Sequence, residues 1–193
     1  PDTLSTMHPF LLPTWSFGPR GNDVAMPILI EGGSALDAVI ASATEIENDP
    51  AIDSVGVGGL PDAEGEVSLD AAVMTEPGRA GAVCFIRHHP NPTQIARKVM
   101  EKTIHTTLAG AGAEAFADRE GIERAPLLTD AARVEWERWR ADPRNIDRDR
   151  YRGWLPPLDE EEMTGVEGDP RDPASAEPYS HDTVSIIGRD AEG

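Results

Sequence analysis

The sequence predicts a mixed α/β (α+β) domain, in which helices pack against antiparallel strands. Apolar residues recur at helical spacing behind a serine that can cap a helix, and two β-prone runs flank a Pro-Gly turn. The chain has 193 residues, of which 39% are hydrophobic and 27% charged, which suits one globular domain with a tail.

The chain opens with a predicted strand, turn and short helix. Residues 9–17 (PFLLPTWSF) are β-prone, and residues 18–21 (GPRG) are typical of a turn. Residues 23–31 predict a short helix, which the pair Gly32-Gly33 closes.

Ser34 predicts the start of a second helix, because its hydroxyl can accept a free backbone N–H there. Asn48-Asp49-Pro50 predicts the end of this helix. Its apolar face comprises Leu36, Val39, Ile40, Ala43 and Ile46.

Three β-prone runs then predict an antiparallel meander. The first is the Gly-dense run 54–59, followed by a turn at 61–66. The other two are 67–74 and 80–87, on either side of the turn Glu76-Pro77-Gly78.

Three more helices and a brief strand are predicted downstream. They are a helix that begins at Asn91-Pro92-Thr93, a strand at 106–108, a helix at 112–120 and a helix from Thr129 to about Arg140.

Residues 142–180 are rich in Pro, Gly, Asp, Glu and Arg, a composition that buries little apolar surface and predicts a linker. A strand at 183–187 and a turn at 189–193 follow. Because no partner strand for this last strand is evident, the pattern predicts a chain cut short.

Acidic residues outnumber basic ones by 35 to 17, which gives a formal net charge of −18. This balance argues against nucleic acid and anionic membrane as partners, and no apolar run approaches the roughly 20 residues of a membrane helix. No signal-peptide pattern follows Pro1. The compartment therefore stays open between the cytoplasm and a processed periplasmic or secreted location.

Cofactor and metal signals are weak. Cys84 is the only cysteine, and its apolar surroundings predict a buried, inert thiol. His88, His89 and His105 lack the spacing of metal ligands. The run 56–59 (GVGG) lacks the Lys-Ser/Thr pair of a phosphate loop. We expect no metal and no cofactor.

The run His181-Asp182-Thr183 carries the candidate chemistry. A threonine hydroxyl is a weak nucleophile without a neighbouring base, and the α-amine of a chain-terminal threonine can be that base. Cleavage before Thr183 would create this amine. In that cleavage the Thr183 hydroxyl would attack the Asp182 carbonyl carbon. The Asp182 side chain would take the proton, and His181 would hold the strained geometry. An ordinary cap or turn is the alternative interpretation of the tripeptide.

Several runs, in order, resemble glycosylasparaginases of the N-terminal nucleophile hydrolase superfamily. The matching runs are 13–18 (PTWSFG), 32–39 (GGSALDAV), 54–62 (SVGVGGLPD), 67–74 (VSLDAAVM), 91–92 (NP) with 96–103 (ARKVMEKT), and 181–184 (HDTV).

The resemblance implies a four-layer αββα sandwich of which only the first half is present. Residues 1–141 would form an α-subunit-like core, 142–182 a linker that ends at the cleavage site, and 183–193 the truncated start of the β-subunit. The partners implied are the missing β-subunit half and further copies, in a homo-oligomer of αβ units.

The resemblance also implies the activity. Thr183 would attack the side-chain amide of glycosylated asparagine, form a β-aspartyl ester and release the aminosugar. Trp15 matches the family's tryptophan beside the substrate pocket, with a core tryptophan in a strand as the alternative. Ser185 stands where the family carries Gly, which predicts less efficient processing.

Two rival functions follow from the same residues. The sister branch of isoaspartyl peptidases and plant-type asparaginases carries Gly before its threonine and lacks the opening run 14–18 (TWSFG), so the sequence favours glycosylasparaginase.

The family's second half supplies the oxyanion hole, so we expect the chain alone to be inactive. A non-catalytic half that acts only in assembly is the other rival.

Overall fold

A computed structural model describes residues 8–141 and 183–193. Within these residues the chain forms five α-helices and five β-strands, so the predicted mixed α/β class is confirmed. In chain order the elements are β1 (Phe10–Pro13), α1 (Gly18–Ile30), α2 (Ala35–Glu47), β2 (Leu69–Glu76), β3 (Arg79–Ile86), α3 (Pro92–Lys102), β4 (Thr107–Ala109), α4 (Gly110–Arg119), α5 (Asp130–Ala141) and β5 (Ile186–Arg189). The linker predicted at 142–180 lies outside the described residues.

Two small sheets organise the described part of the chain. β1 and β5 pair antiparallel, with Leu12 opposite Ile187. β2 and β3 form the predicted hairpin, in which Gly78 takes the left-handed conformation at φ +89°. β4 runs parallel to β3 on the side away from β2. The expectation of a final strand without a partner is therefore wrong, because β5 pairs with β1.

The three-stranded sheet has a covered face and an open face. Apolar residues of β2 and β3 pack with α3 and α4 in the main core, among them Leu69, Val73 and Val83. Met74 and Cys84 lie exposed on the opposite face. The prediction of a buried Cys84 is wrong, because side chains alternate along β3 and Val83 takes the inward position.

Helix α2 forms as its sequence predicts. The Ser34 hydroxyl accepts the backbone N–H of Asp37 at 3.1 Å, and the helix ends at Glu47. Ile40, Ala43 and Ile46 are buried, and Leu36 and Val39 are half-buried.

The opening of the chain differs from its prediction. The strand ends at Pro13 instead of residue 17, and the predicted turn at 18–21 is the first turn of α1. Pro19 suits this position, since the first N–H groups of a helix have no partner within the helix.

The Gly-dense run 54–59 forms a 3₁₀ turn at Gly56–Gly58 instead of the predicted strand. Gly56 has φ +63°, and a side chain there would overlap the backbone of Glu47. The close contact of Gly56 with the end of α2 therefore determines the conformation of this run, in place of the β-propensity of its residues.

Glu47 is a buried carboxyl at the end of α2. It accepts hydrogen bonds from the backbone N–H and the hydroxyl of Thr93 and from the Asn91 amide, and so caps the first turn of α3. Burial raises the pKa of Glu47 from 4.5 to about 7, against the lowering effect of these bonds. Between these pH values the folded protein holds a proton that the unfolded chain has lost, so stability falls as the pH rises.

We expect Glu47→Gln to flatten this pH dependence, because the amide keeps an acceptor for Thr93 and carries no charge. The pKa change from 4.5 to about 7 corresponds to about 3 kcal/mol of unfolding free energy. Chemical unfolding at about pH 5 and about pH 7.5 measures the effect. Exposed Glu45→Gln is the charge-matched control, expected to keep the wild-type slope. The same slope in wild type and Glu47→Gln would contradict the assignment.

Gly81→Ala is expected to lower the unfolding free energy by ~1–3 kcal/mol. A Cβ on Gly81 would overlap the carbonyl oxygen of Ala96, and backbone atoms cannot rotate away. Gly112→Ala in α4, where no atom lies within 4 Å of the added Cβ, is the matched control. It should stabilise the protein by up to ~1 kcal/mol. Equal stability of the two variants in chemical denaturation would refute the close packing of β3 on α3.

Candidate functional site

Thr183 is exposed and lies three residues before β5. His181 and Asp182, the other two residues of the predicted cleavage site, lie outside the described residues, and their roles stay predictions. The structure therefore positions the candidate nucleophile but not the residues before it.

Hydrogen bonds continue the pairing of β1 and β5 toward Thr183. The backbone N–H of Thr14 donates to the Ser185 carbonyl at 2.9 Å. In return, the Ser185 N–H donates to the Thr14 hydroxyl at 3.0 Å. These bonds hold the segment that leads into β5 beside the segment that leaves β1.

Trp15 is the residue that the structure brings to Thr183. Its indole Nε1–H donates to the Thr183 carbonyl oxygen at 2.7 Å, between residues 168 positions apart. The side chain is 46% exposed and follows the end of β1, so the alternative of a core tryptophan in a strand is wrong. The structure thus joins two of the predicted site residues.

Trp15 also has an unusual backbone conformation. Its φ of +67° lies in the left-handed region, which costs an L-residue with a side chain about 1–2 kcal/mol. Strain of this kind is found where surrounding contacts enforce it, often at functional sites. Here the conformation accompanies the contact between the indole and Thr183.

The opposite end of β5 is fixed to helix α2. Asp190 accepts the backbone N–H of Ala35 at 2.8 Å. This bond, followed by bonds from the N–H groups of Glu192 and Gly193, holds the pKa of Asp190 below its ordinary value. Sequence reasoning missed Asp190. Its only signal was an acidic residue in the predicted turn at 189–193, where aspartate is common.

A second group of charges lies at the end of β3. His88 Nδ1 is 2.9 Å from Glu114, which also accepts the Arg87 N–H at 2.8 Å. Burial would raise the pKa of Glu114, but these hydrogen bonds and the nearby Arg124 hold it below its ordinary value. The group ties β3 to α4 as a structural cluster. No three His, Cys, Asp or Glu residues are arranged as metal ligands within residues 8–141 and 183–193.

The asparaginase family model (Asparaginase_2) matches residues 22–193. The chain belongs to this family. It is 36% identical over 189 residues to the N(4)-(beta-N-acetylglucosaminyl)-L-asparaginase of Elizabethkingia miricola, covering 98% of this chain and 48% of the relative. It is 33% identical over 187 residues to the protein of the same name in Rattus norvegicus, covering 93% of this chain and 53% of that relative.

A further relative comes from the sister branch of the asparaginase family. The isoaspartyl peptidase/L-asparaginase of Rattus norvegicus is 43% identical over 115 residues, covering 58% of this chain and 34% of the relative. The resemblance to glycosylasparaginases is confirmed by the longer matches. The chain spans about half the length of these two glycosylasparaginases.

Within the described residues, no helix is both long enough and apolar enough to cross a membrane.

Trp15→Phe tests the contact with Thr183. Phenylalanine keeps an aromatic ring but removes the N–H donor. The lost hydrogen bond contributes about 1 kcal/mol to the stability of the folded state. We expect the amides of Thr14 and Ser185 to exchange with solvent roughly fivefold faster. Amide hydrogen exchange in the full-length gene product measures this.

Trp136→Phe is the matched control, since it removes the indole donor to the Ala63 carbonyl instead. It should leave the exchange of Thr14 and Ser185 unchanged. Equal exchange in wild type and Trp15→Phe would show that the indole does not hold Thr183.

Proposed function

We propose that the protein hydrolyses the side-chain amide of asparagine, and of glycosylated asparagine in particular, with Thr183 as the nucleophile. The observation that carries the proposal is the 2.7 Å hydrogen bond from Trp15 to Thr183 in a chain of the asparaginase family. This contact fixes the backbone of an exposed threonine beside an aromatic side chain that is also accessible.

The proposed reaction begins with self-cleavage. The Thr183 hydroxyl attacks the carbonyl carbon of Asp182, and its proton passes by way of the Asp182 carboxylate to the backbone nitrogen of Thr183. The C–N bond then breaks as an ester forms, and the nitrogen leaves as an amine. Water then hydrolyses the ester, which leaves a new carboxylate on Asp182 and a free α-amine on Thr183. His181 holds the strained peptide during this step. The Trp15 indole supports the mechanism by holding the Thr183 carbonyl while the bond on its amine side reacts.

Turnover uses the new amine as the base. It accepts the hydroxyl proton of Thr183 while the oxygen attacks the side-chain amide carbon of the substrate. The proton then passes to the leaving nitrogen as the C–N bond breaks, and a β-aspartyl ester remains. Water hydrolyses this ester to aspartate and regenerates the hydroxyl. No cofactor takes part in this scheme.

Trp15 has a second proposed role as a wall of the substrate pocket. An exposed indole can pack against the apolar face of a sugar or a small amino acid, and 46% of Trp15 remains accessible beside Thr183. Ser185 lies in the same segment with its backbone bonded to Thr14. A side chain at this position, in place of the family's Gly, is proposed to slow processing.

The proposed architecture is an αββα sandwich completed by a β-subunit half. Each sheet described has helices on one side and exposed apolar residues on the other, such as Leu12 and Ile187 on β1–β5 and Met74 on β2. We propose that the second half covers these faces. The proposed division is a core at 1–141, a linker at 142–182 and the β-subunit start at 183–193, with αβ units assembling into a homo-oligomer.

A plain asparaginase or isoaspartyl peptidase is the second candidate. It is favoured by the match to the Rattus norvegicus isoaspartyl peptidase/L-asparaginase, whose identity is higher over a shorter stretch. Rates on free asparagine, a β-aspartyl dipeptide and a glycosylated asparagine separate the two. An intact chain without any of these activities would favour the assembly role.

Thr183→Val is expected to abolish both self-cleavage and hydrolysis, because it keeps the shape of threonine and removes the hydroxyl. Loss of the nucleophile should lower the rate at least about a thousandfold. Thr183→Ser keeps a hydroxyl and is the matched control, expected to cleave and to retain activity. Mass spectrometry of the full-length gene product detects cleavage between Asp182 and Thr183, and aspartate release measures turnover. Cleavage or turnover by Thr183→Val at the wild-type rate would refute the proposed nucleophile.

A further inference from the structure

Asp190 joins the end of β5 to the start of α2. One carboxylate oxygen, Oδ2, accepts the N–H of Ala35 at 2.8 Å. The other, Oδ1, accepts the N–H groups of Glu192 and Gly193 at 3.1 and 3.2 Å. The two oxygens therefore bond two separate segments at once.

The charge on this carboxylate suits its position. The N-terminus of a helix carries a partial positive charge and free N–H groups, and Ala35 is the first residue of α2. An aspartate carboxyl is ionised at neutral pH, and the bond from the Ala35 N–H contributes most to lowering the pKa of Asp190 further. Both oxygens can then act as acceptors together.

Gly188 allows β5 to approach α2 closely. A Cβ there would lie 2.8 Å from Val39 Cγ2 and 3.0 Å from Leu11 Cδ2. Because side chains alternate along a strand, positions 188 and 190 share one face of β5. A slip of one residue would direct Ile187 and Arg189 toward α2 instead. Gly188 and Asp190 together thus specify the register of the strand.

The register of β5 determines where Thr183 lies. A slip of one residue would move Thr183 by about 3.3 Å along the strand direction, too far to keep its 2.7 Å contact with Trp15. The strand is only four residues long and pairs with a strand of four residues. Pairing of this extent is marginal by itself, so additional contacts are needed to fix the register.

We propose that Asp190 is a positioning residue for Thr183, an inference that rests on the proposed role of Thr183 as nucleophile. Asp190 does not touch the reacting atoms. It anchors β5 to the N-terminus of α2, and the anchored strand carries Thr183 to its place beside Trp15.

Asp190→Ala should slow self-cleavage about 10–100-fold, because displacement of a reacting group by about 1 Å costs about this much in rate. Asp190→Asn keeps one acceptor oxygen for Ala35, so it should restore most of the rate and cleave about 3–10-fold more slowly than wild type. Pulse-chase labelling of the full-length gene product in cell-free translation follows the cleavage. Unfolding midpoints identify the variants that fold.

Two controls separate positioning from general stability. Ser34→Ala removes the other side-chain cap of α2 and leaves Asp190 in place. Glu192→Ala removes one exposed negative charge beside Asp190 without removing the backbone N–H that Asp190 accepts. Both should cleave at the wild-type rate.

Wild-type cleavage by Asp190→Ala would overturn the inference, and so would equally slow cleavage by Ser34→Ala. If Asp190→Ala does not fold, Asp190→Asn decides: slower cleavage supports the role and wild-type cleavage overturns it. Cleavage or turnover by Thr183→Val at the wild-type rate would refute the proposed function itself. Inactive Thr183→Val together with wild-type cleavage by Asp190→Ala would overturn only the role of Asp190.

Discussion

The pairing of β1 with β5 is the interaction on which the candidate site depends. Trp15 and Thr183 are 168 positions apart, and the two short strands bring them within hydrogen-bonding distance. Closing a loop of this length costs on the order of 4–5 kcal/mol in chain entropy. Four paired positions offset little of that cost. The packing of α1 on β1 and of α2 on β5 must therefore contribute. The N–H of Gly18, the first residue of α1, also donates to the Trp15 carbonyl at 3.2 Å.

Helix α2 connects the parts of the fold. Its first residue bonds Asp190 after β5. Along its length, Asp37 forms an ion pair with Arg97 of α3 at 2.7 Å, and its last residue, Glu47, caps α3. The same helix therefore contacts the structure around both sheets. A change in its position would affect the two-stranded sheet and the main core together.

The sequence predicted the elements whose signals are local. Ser34 specifies the start of α2, and Pro77-Gly78 specifies the hairpin between β2 and β3, because caps and tight turns depend on neighbouring residues. The conformation of Gly56 and the role of Asp190 depend on contacts with Glu47 and Ala35, which are distant in sequence or in a different element. Thr183 and Trp15 were found through family resemblance, and their hydrogen bond could be found only in three dimensions.

The distance along the chain between β1 and β5 sets an order of events during synthesis. β1 leaves the ribosome early, and its partner is made more than 160 residues later. At about 5–20 residues per second, β1 stays without that partner for roughly 10–30 seconds. The indole of Trp15 has no Thr183 carbonyl to hold during this interval. The connectivity thus delays the placement of Thr183, the proposed nucleophile, beside Trp15 until α1 and α2 have been translated.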